Sequence, residues 1–197
     1  MKNMMQMAAG AAVAALALTG CGTAASESQS ESGHEVPVGA SSAGPARNVD
    51  APQESKPLTA KSAEGLKTFT YFWISYNSYA QQTGETDKLD ELSSDKCNYC
   101  SNEIDMINKV YDDGGWMAGG DPRVTDIFPK LPEGKSTGTA LVTYSETAGT
   151  IFNSEGEEAS TIEPKKPTVL TVKASYIDGE WTMRSIEETP DAELPAT

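Results

Sequence analysis

The sequence is poor in histidine, cysteine, aromatic residues and positive charge. It has one histidine, three cysteines and 7% Phe, Trp and Tyr in 197 residues. With so few imidazoles and thiols, a structural zinc site, which needs about four Cys or His ligands, has too few ligands to form. Basic residues are also few, with 15 Lys and Arg against 29 Asp and Glu and a net charge of −14. A surface this acidic repels phosphate backbones and anionic headgroups, so nucleic acid is not an expected partner. No internal repeat is visible, and no motif names a substrate, a reaction or a cofactor. The one long apolar run, from about Ala8 to Leu18, is too short to span a bilayer as a mature helix.

That run does have a reading. Lys2, the apolar stretch and the small residues after it form a secretory signal peptide over residues 1–20. Its end, "LTGC" at Leu18 to Cys21, resembles a bacterial lipobox. The resemblance implies cleavage before Cys21 and a diacylglyceryl group on its sulfur. Each buried methylene contributes about 0.8 kcal/mol, so two palmitate-type chains would hold the protein on the outer face of the cytoplasmic membrane. Cleavage would remove Lys2 alone among the charged residues, leaving 14 basic against 29 acidic side chains, a net −15.

Residues 21–60 read as the lipidated cysteine and a disordered tether. "GTAASESQSESGHEVPVGASSAGPARNVDAPQESKP" is rich in Ser, Ala, Gly, Glu and Pro, and the first aromatic residue of the chain is Phe69. Such a segment has little apolar area to bury against its ordering entropy. As a coil it would reach about 35 Å. His34 lies here, where nothing is expected to hold it still, so no catalytic or metal-binding role is expected of it.

Residues 61–190 are expected to form one domain, followed by a tail over 191–197. From Ser62 to Thr83 the period is helical, with Leu66, Phe69, Trp73, Tyr76 and Ala80 on one face and Gly84 as C-cap. "TDKLDELS" reads as a short helix with Thr86 as N-cap and Leu89 and Leu92 inward. A third helix should start near Ser94 or Asp95, turn Cys97, Cys100, Ile104, Ile107 and Tyr111 to one side, and stop at Gly114 and Gly115. The period then becomes two. Ala140, Val142 and Tyr144 share a face, as do Leu170, Val172, Ala174 and Tyr176, and Asp178–Gly179 makes a hairpin turn into "EWTMRSIEE". Further strands are expected in "RVTDIFPKL" and "GWMAGG". Helices first and antiparallel strands after give an α+β fold with the helices on one face of the sheet.

The run "TFTYFWISYNSYAQQTGETDKLDELSSDKCNYCSNEIDMINKVYDDGG" resembles an actinobacterial lipoprotein family known only as a domain of unknown function (domain of unknown function 6318). The shared features are an aromatic helix ending in "YAQQTG", a short helix, a C-x-x-C pair and a tyrosine before "GG". The resemblance implies a cone-like fold similar to nuclear transport factor 2, in which a curved antiparallel sheet wraps the long first helix. It implies no activity.

Cys97 and Cys100 can be a metal clip, a redox pair or a staple. The metal reading fails on ligand count, since Cys21 would carry lipid and His34 lies in the tether. A thioredoxin-like dithiol sits between a strand and a helix, whereas this pair follows two helices. A disulfide has the fewest difficulties, because thiols oxidise outside the cytoplasm and i, i+3 positions lie within bonding reach. Asp112, Asp113 and Asp121 gather among four glycines, but their spacing is not that of an EF-hand, and a Gly-rich turn explains them. An acid–base site would need a carboxyl of raised pKa beside a tyrosine. Tyr71, Tyr76, Tyr79, Tyr144 and Tyr176 are candidates, yet no local motif pairs any of them with a carboxylate. The expectation is a membrane-anchored extracytoplasmic domain that binds a cell-envelope protein, a glycan or a small apolar molecule without catalysis. The alternatives are an enzyme using the cone pocket and a thiol–disulfide protein using Cys97 and Cys100. A buried carboxylate in a polar pocket would favour the enzyme.

Overall fold

The computed structural model describes residues 36–195. Cys21 and His34, with the signal peptide and the first part of the tether, lie outside the described residues.

The first long helix, α1 (Ala63–Thr83), begins where the periodicity places it. Ser62 caps it by accepting from the Gly65 N–H at 3.0 Å. Gly84 ends it at φ +81°, with its N–H on the Ala80 carbonyl at 2.7 Å. A Cβ on Gly84 would stand 2.6 Å from the Tyr111 ring. The glycine therefore serves both the left-handed turn and the approach of Tyr111, whose hydroxyl donates to the Gln81 carbonyl at 2.9 Å. Of the expected apolar face, Leu66, Phe69, Trp73 and Ala80 are buried and Tyr76 is half-buried. Burial extends further round the helix than one stripe, however, to Thr70, Ile74, Asn77, Tyr79 and Gln81. The reason is that α1 has neighbours on several sides: strands of the sheets, two further helices and a 3-10 turn at Lys56–Thr59.

Helix α2 (Asp87–Glu91) buries Leu89, but Thr86 does not cap it. The Thr86 hydroxyl instead donates to Asn108 Oδ1 at 2.7 Å, tying α2 to the third helix. Helix α3 (Asn98–Asp112) starts later than Ser94 or Asp95. Residues 92–94 are held elsewhere: the Leu92 carbonyl accepts from the Met183 N–H at 2.8 Å, and the Ser94 N–H donates to the Met183 carbonyl at 2.9 Å. They thereby cover an otherwise open strand edge.

The strands are β1 (Trp116–Gly119), β2 (Pro122–Lys130), β3 (Thr137–Glu146), β4 (Gly149–Phe152), β5 (Glu158–Ile162), β6 (Lys165–Ile177) and β7 (Glu180–Glu188). All pairings are antiparallel, in two sheets ordered β1-β4-β5 and β2-β3-β6-β7. Three chain segments run through both sheets in the same order. They are β1 into β2, β3 into β4, and β5 into β6, each changing sheet across about two residues. Gly119 and Gly120 make the first change at φ +75° and +73°. Cross-strand bonds continue through it, from Gly120 N–H to the Ala148 carbonyl and from Thr147 N–H to the Asp121 carbonyl. Strands β4 and β5 have no counterpart in the sequence reading, and β5 is almost wholly exposed.

The fold is therefore α+β, with three α-helices and two antiparallel sheets among the described residues. One core joins α1 (Leu66, Phe69, Trp73), the Ala140, Val142 and Tyr144 face of β3, and the Leu170, Val172 and Ala174 face of β6.

The tether expectation needs correction from residue 38 onward. Val38 and Arg47 exchange backbone hydrogen bonds at 2.8 Å. The Ala46 N–H donates to the Gln82 carbonyl at 3.2 Å, and Leu58 is in the core at 6% exposure. The Tyr176 hydroxyl donates to the Thr59 carbonyl at 2.7 Å and the Trp181 indole to that of Ala60 at 2.9 Å. Composition misled here because, Leu58 apart, these contacts use main-chain N–H and C=O groups, which a Ser- and Pro-rich segment carries as well as any other.

Candidate functional site

Cys97 and Cys100 are joined by a disulfide with the Cα atoms 5.2 Å apart. Cys97 is the N-cap of α3, its sulfur accepting from the Cys100 N–H at 3.3 Å. Both cysteines are fully buried in the core. Asp112 and Asp113 end α3, while Asp121 sits where β1 gives way to β2. Among the described residues, no three His, Cys, Asp or Glu side chains gather as a metal site.

The described residues do contain a buried polar cluster, built from two i, i+4 pairs. Asn77 and Gln81 lie one turn apart on α1, and Tyr99 and Glu103 one turn apart on α3, so each pair shares a helix face. Asn77 Nδ2 and Gln81 Nε2 both donate to Glu103 Oε2, at 3.4 and 3.3 Å. Burial pushes the Glu103 carboxyl above its ordinary value of 4.5; the two amides pull it down, Glu146 pushes it up and Lys165 pulls it down.

The sheet closes the cluster. The Tyr144 hydroxyl donates to Glu146 Oε2 at 3.1 Å. The register of β3 against β6 shifts between these two residues, and such irregularities re-aim side chains. Lys165 Nζ stands 5.8 Å from the centre of the Tyr144 ring and 3.8 Å from Glu188 Oε2. Tyr99 is pushed upward by burial and then by Glu103, and Tyr144 by burial and then by Glu146. The Trp73 ring lies 6.2 Å from Tyr99. Beside the cluster lies a crevice of about 10 Å³, room for one water, lined by Trp73, Asn77, Gln81, Tyr99 and Tyr144. Asn77 Oδ1 is buried with no hydrogen-bond partner.

Of the five tyrosines in the sequence reading, Tyr144 alone lines this crevice. Local carboxylate pairs exist after all, in Tyr144 with Glu146 and in Tyr79 with Glu85 at 2.8 Å, which carries the Tyr79 hydroxyl to about 12 after burial has raised it. Glu103, Tyr99, Asn77 and Gln81 were not foreseen. The available signal was a polar i, i+4 pair beside an apolar face on each helix.

A larger, open groove of about 350 Å³ lies between α3 and β4–β5, lined by Met106, Val110, Ile151 and Phe152 among others. It brings together no polar cluster comparable to that of Glu103.

Fold and site together define an α+β domain with a small polar crevice, beside a half-buried carboxylate, where two helices meet a four-stranded sheet. The chain belongs to the Family of unknown function (DUF6318), which matches residues 38–187. No curated protein matches the sequence. Among solved structures, the chain is similar to the intermembrane space region of the chloroplast protein ARC6, at 10% identity and a TM-score of 0.49, over 66% of this chain and 98% of that one. It is also similar to the Kfla4162 protein from Kribbella flavida, at 10% identity and a TM-score of 0.42, over 66% and 94%. A third is an NTF2-like protein with a cystatin-like fold from Novosphingobium aromaticivorans, at 13% identity and a TM-score of 0.37, over 62% and 79%.

Proposed function

We propose that this protein is an extracytoplasmic binding domain of an actinobacterial-type lipoprotein, held to the membrane through Cys21, and that the polar cluster of Asn77, Gln81 and Glu103 is where it binds. The observation that carries the binding reading is the incomplete satisfaction of that cluster. A buried acceptor, Asn77 Oδ1, has no donor, and Glu103 holds a half-buried carboxylate on two long amide contacts. Buried polar groups are rarely left so unless a partner completes them. The buried disulfide suits an oxidising compartment outside the cytoplasm. We also take the helices to pack on a curved, cone-like sheet; the three segments that pass through both sheets in one order support this.

A second reading, acid–base catalysis, rests on one observation: burial raises the pKa of Glu103 close to Tyr144 and Tyr99. The thiol–disulfide reading is disfavoured, because both sulfurs are buried and exchange needs a thiolate to reach one of them.

Native mass spectrometry of the protein released from its own membranes tests the proposal. The expected result is a diacylglyceryl mass on Cys21 and a retained small ligand that Asn77→Leu loses. A soluble wild-type protein with unmodified Cys21 would overturn the anchor. A ligand retained equally by Asn77→Leu would overturn the site.

A further inference from the structure

The two sheets have four edge strands, and three of them are guarded. Strand β7 is met at Met183 by the main chain of Leu92 and Ser94. Strand β2 carries Pro122, Pro129 and a register shift between Val124 and Asp126, devices that blunt an edge. Strand β1 is buried at Trp116 and Met117 and lies against α1. Strand β5 is different. It pairs with β4 alone, and among the described residues no main-chain group of residues 158–162 has a hydrogen-bond partner on its other side. Its sequence, EASTI, has no proline, lysine or arginine, and four of its five residues are exposed. An open edge of this kind is a template for one more strand.

Beside that edge lies the groove of about 350 Å³ between α3 and β4–β5. Met106, Val110, Ile151 and Phe152 give it an apolar lining, and Ala159 brings it to the edge itself. Lys109 and Asp113 add one charge of each sign. A strand laid on β5 would turn alternate side chains to the α3 side of the sheet, where the groove offers them an apolar seat.

Charge selects the partner. Glu155, Glu157, Glu158 and Glu163 stand on and beside β5 with no basic residue between them, and none of the four has an ion pair among the described residues. Lys165 and Lys166 follow, the first engaged with Glu188 at 3.8 Å. A second copy of the chain fits poorly. Antiparallel pairing centred on Ser160 would set Glu157 opposite the second copy's Glu163, and like charges directly opposite repel. The net charge of −14 opposes self-association further.

We propose that the open edge of β5 docks an extended, basic segment of another protein, which pairs with it as a further strand and seats alternate apolar side chains against Met106, Val110 and Ile151. The proposal is independent of the polar cluster of Asn77, Gln81 and Glu103, which joins α1 to α3.

The test is an NMR titration of the isotope-labelled full chain with a short, acetylated and amidated peptide of alternating lysine and valine. Controls are the same peptide with glutamate in place of lysine, and the same peptide N-methylated at its central residues, which removes the donors that a strand needs. The expected result is saturable, submillimolar binding of the lysine–valine peptide, with the amide signals of residues 158–162 shifting and their hydrogen exchange slowing. Glu157→Lys with Glu158→Lys, at exposed positions, should weaken it about fivefold or more. Equal binding of the glutamate peptide would remove charge selection, and equal binding of the N-methylated peptide would remove strand pairing; either overturns the proposal. So does the absence of binding at millimolar peptide. Slow exchange at residues 158–162 in a wild-type dimer without peptide would show that a second copy fills the edge, and would overturn it too. The comparison of the three peptides uses wild-type protein and stands even if the variant fails to fold.

Discussion

The indole of Trp116 donates to the main-chain carbonyl of Ser41, 75 residues earlier, at 2.8 Å. The bond links β1 to a segment whose composition reads as a linker. With the Val38–Arg47 bridge, buried Leu58 and the ion pair of Lys88 with Glu54 at 3.1 Å, it makes residues 38–60 a strap on the domain.

Deleting residues 36–59 should therefore destabilise the domain. Loss of Leu58 burial alone costs about 1.5–3 kcal/mol, and each main-chain acceptor lost to Trp116 and Tyr176 about 1 kcal/mol more. The Lys88 pair is partly exposed and adds little. Thermal denaturation should show a fall of about 10 °C or more for a domain of this size. An unchanged melting temperature would return these residues to the status of a free tether.

The disulfide closes a loop of only four residues, for which chain entropy gives about 2 kcal/mol. Cys97→Ala with Cys100→Ala should lower the melting temperature by at least ~2–8 °C, and by more if the buried sulfur volume is not refilled. Because both cysteines are fully buried, reduction by dithiothreitol should proceed no faster than unfolding. Rapid reduction of the folded protein would revive the redox reading.

Glu103 gives a pH signature. Burial raises its folded pKa above the ordinary 4.5, Asn77 and Gln81 from α1 lower it, Glu146 from β3 raises it and Lys165 from β6 lowers it. A carboxyl raised on folding favours the folded state below its unfolded pKa, and that contribution is lost as pH rises through the folded pKa. Glu103→Gln removes the loss. Its melting temperature relative to wild type should therefore be more favourable at pH near 7 than at pH near 4. A pH-independent difference would mean that Glu103 is not burdened by burial.

Much of the fold was legible in the sequence because periodicity reports burial. The face Leu66, Phe69, Trp73 and Ala80, the cap Gly84 and the alternation through Ala140, Val142 and Tyr144 all follow from one side meeting a core. What periodicity cannot report is contact made by the main chain. The strap escaped for that reason, and so did the late start of α3, set by the hold of Met183 on Leu92 and Ser94. Strand β5 escaped because nearly every side chain on it is exposed, leaving no alternation to read. The polar cluster escaped because Asn77, Gln81 and Glu103 are ordinary polar residues of helix surfaces until two helices bring them together.

Stability separates a binding site from structural glue without any knowledge of the ligand. A polar cluster kept for binding holds an unpaired acceptor and a half-buried carboxylate at a cost to the fold, so apolar groups of similar shape should relieve it. Asn77→Leu combined with Glu103→Met removes both. The double variant should melt at or above the wild-type temperature at neutral pH. A fall of about 2 kcal/mol or more, the size of a core defect, would show instead that the cluster holds the helices to the sheet and is not a site.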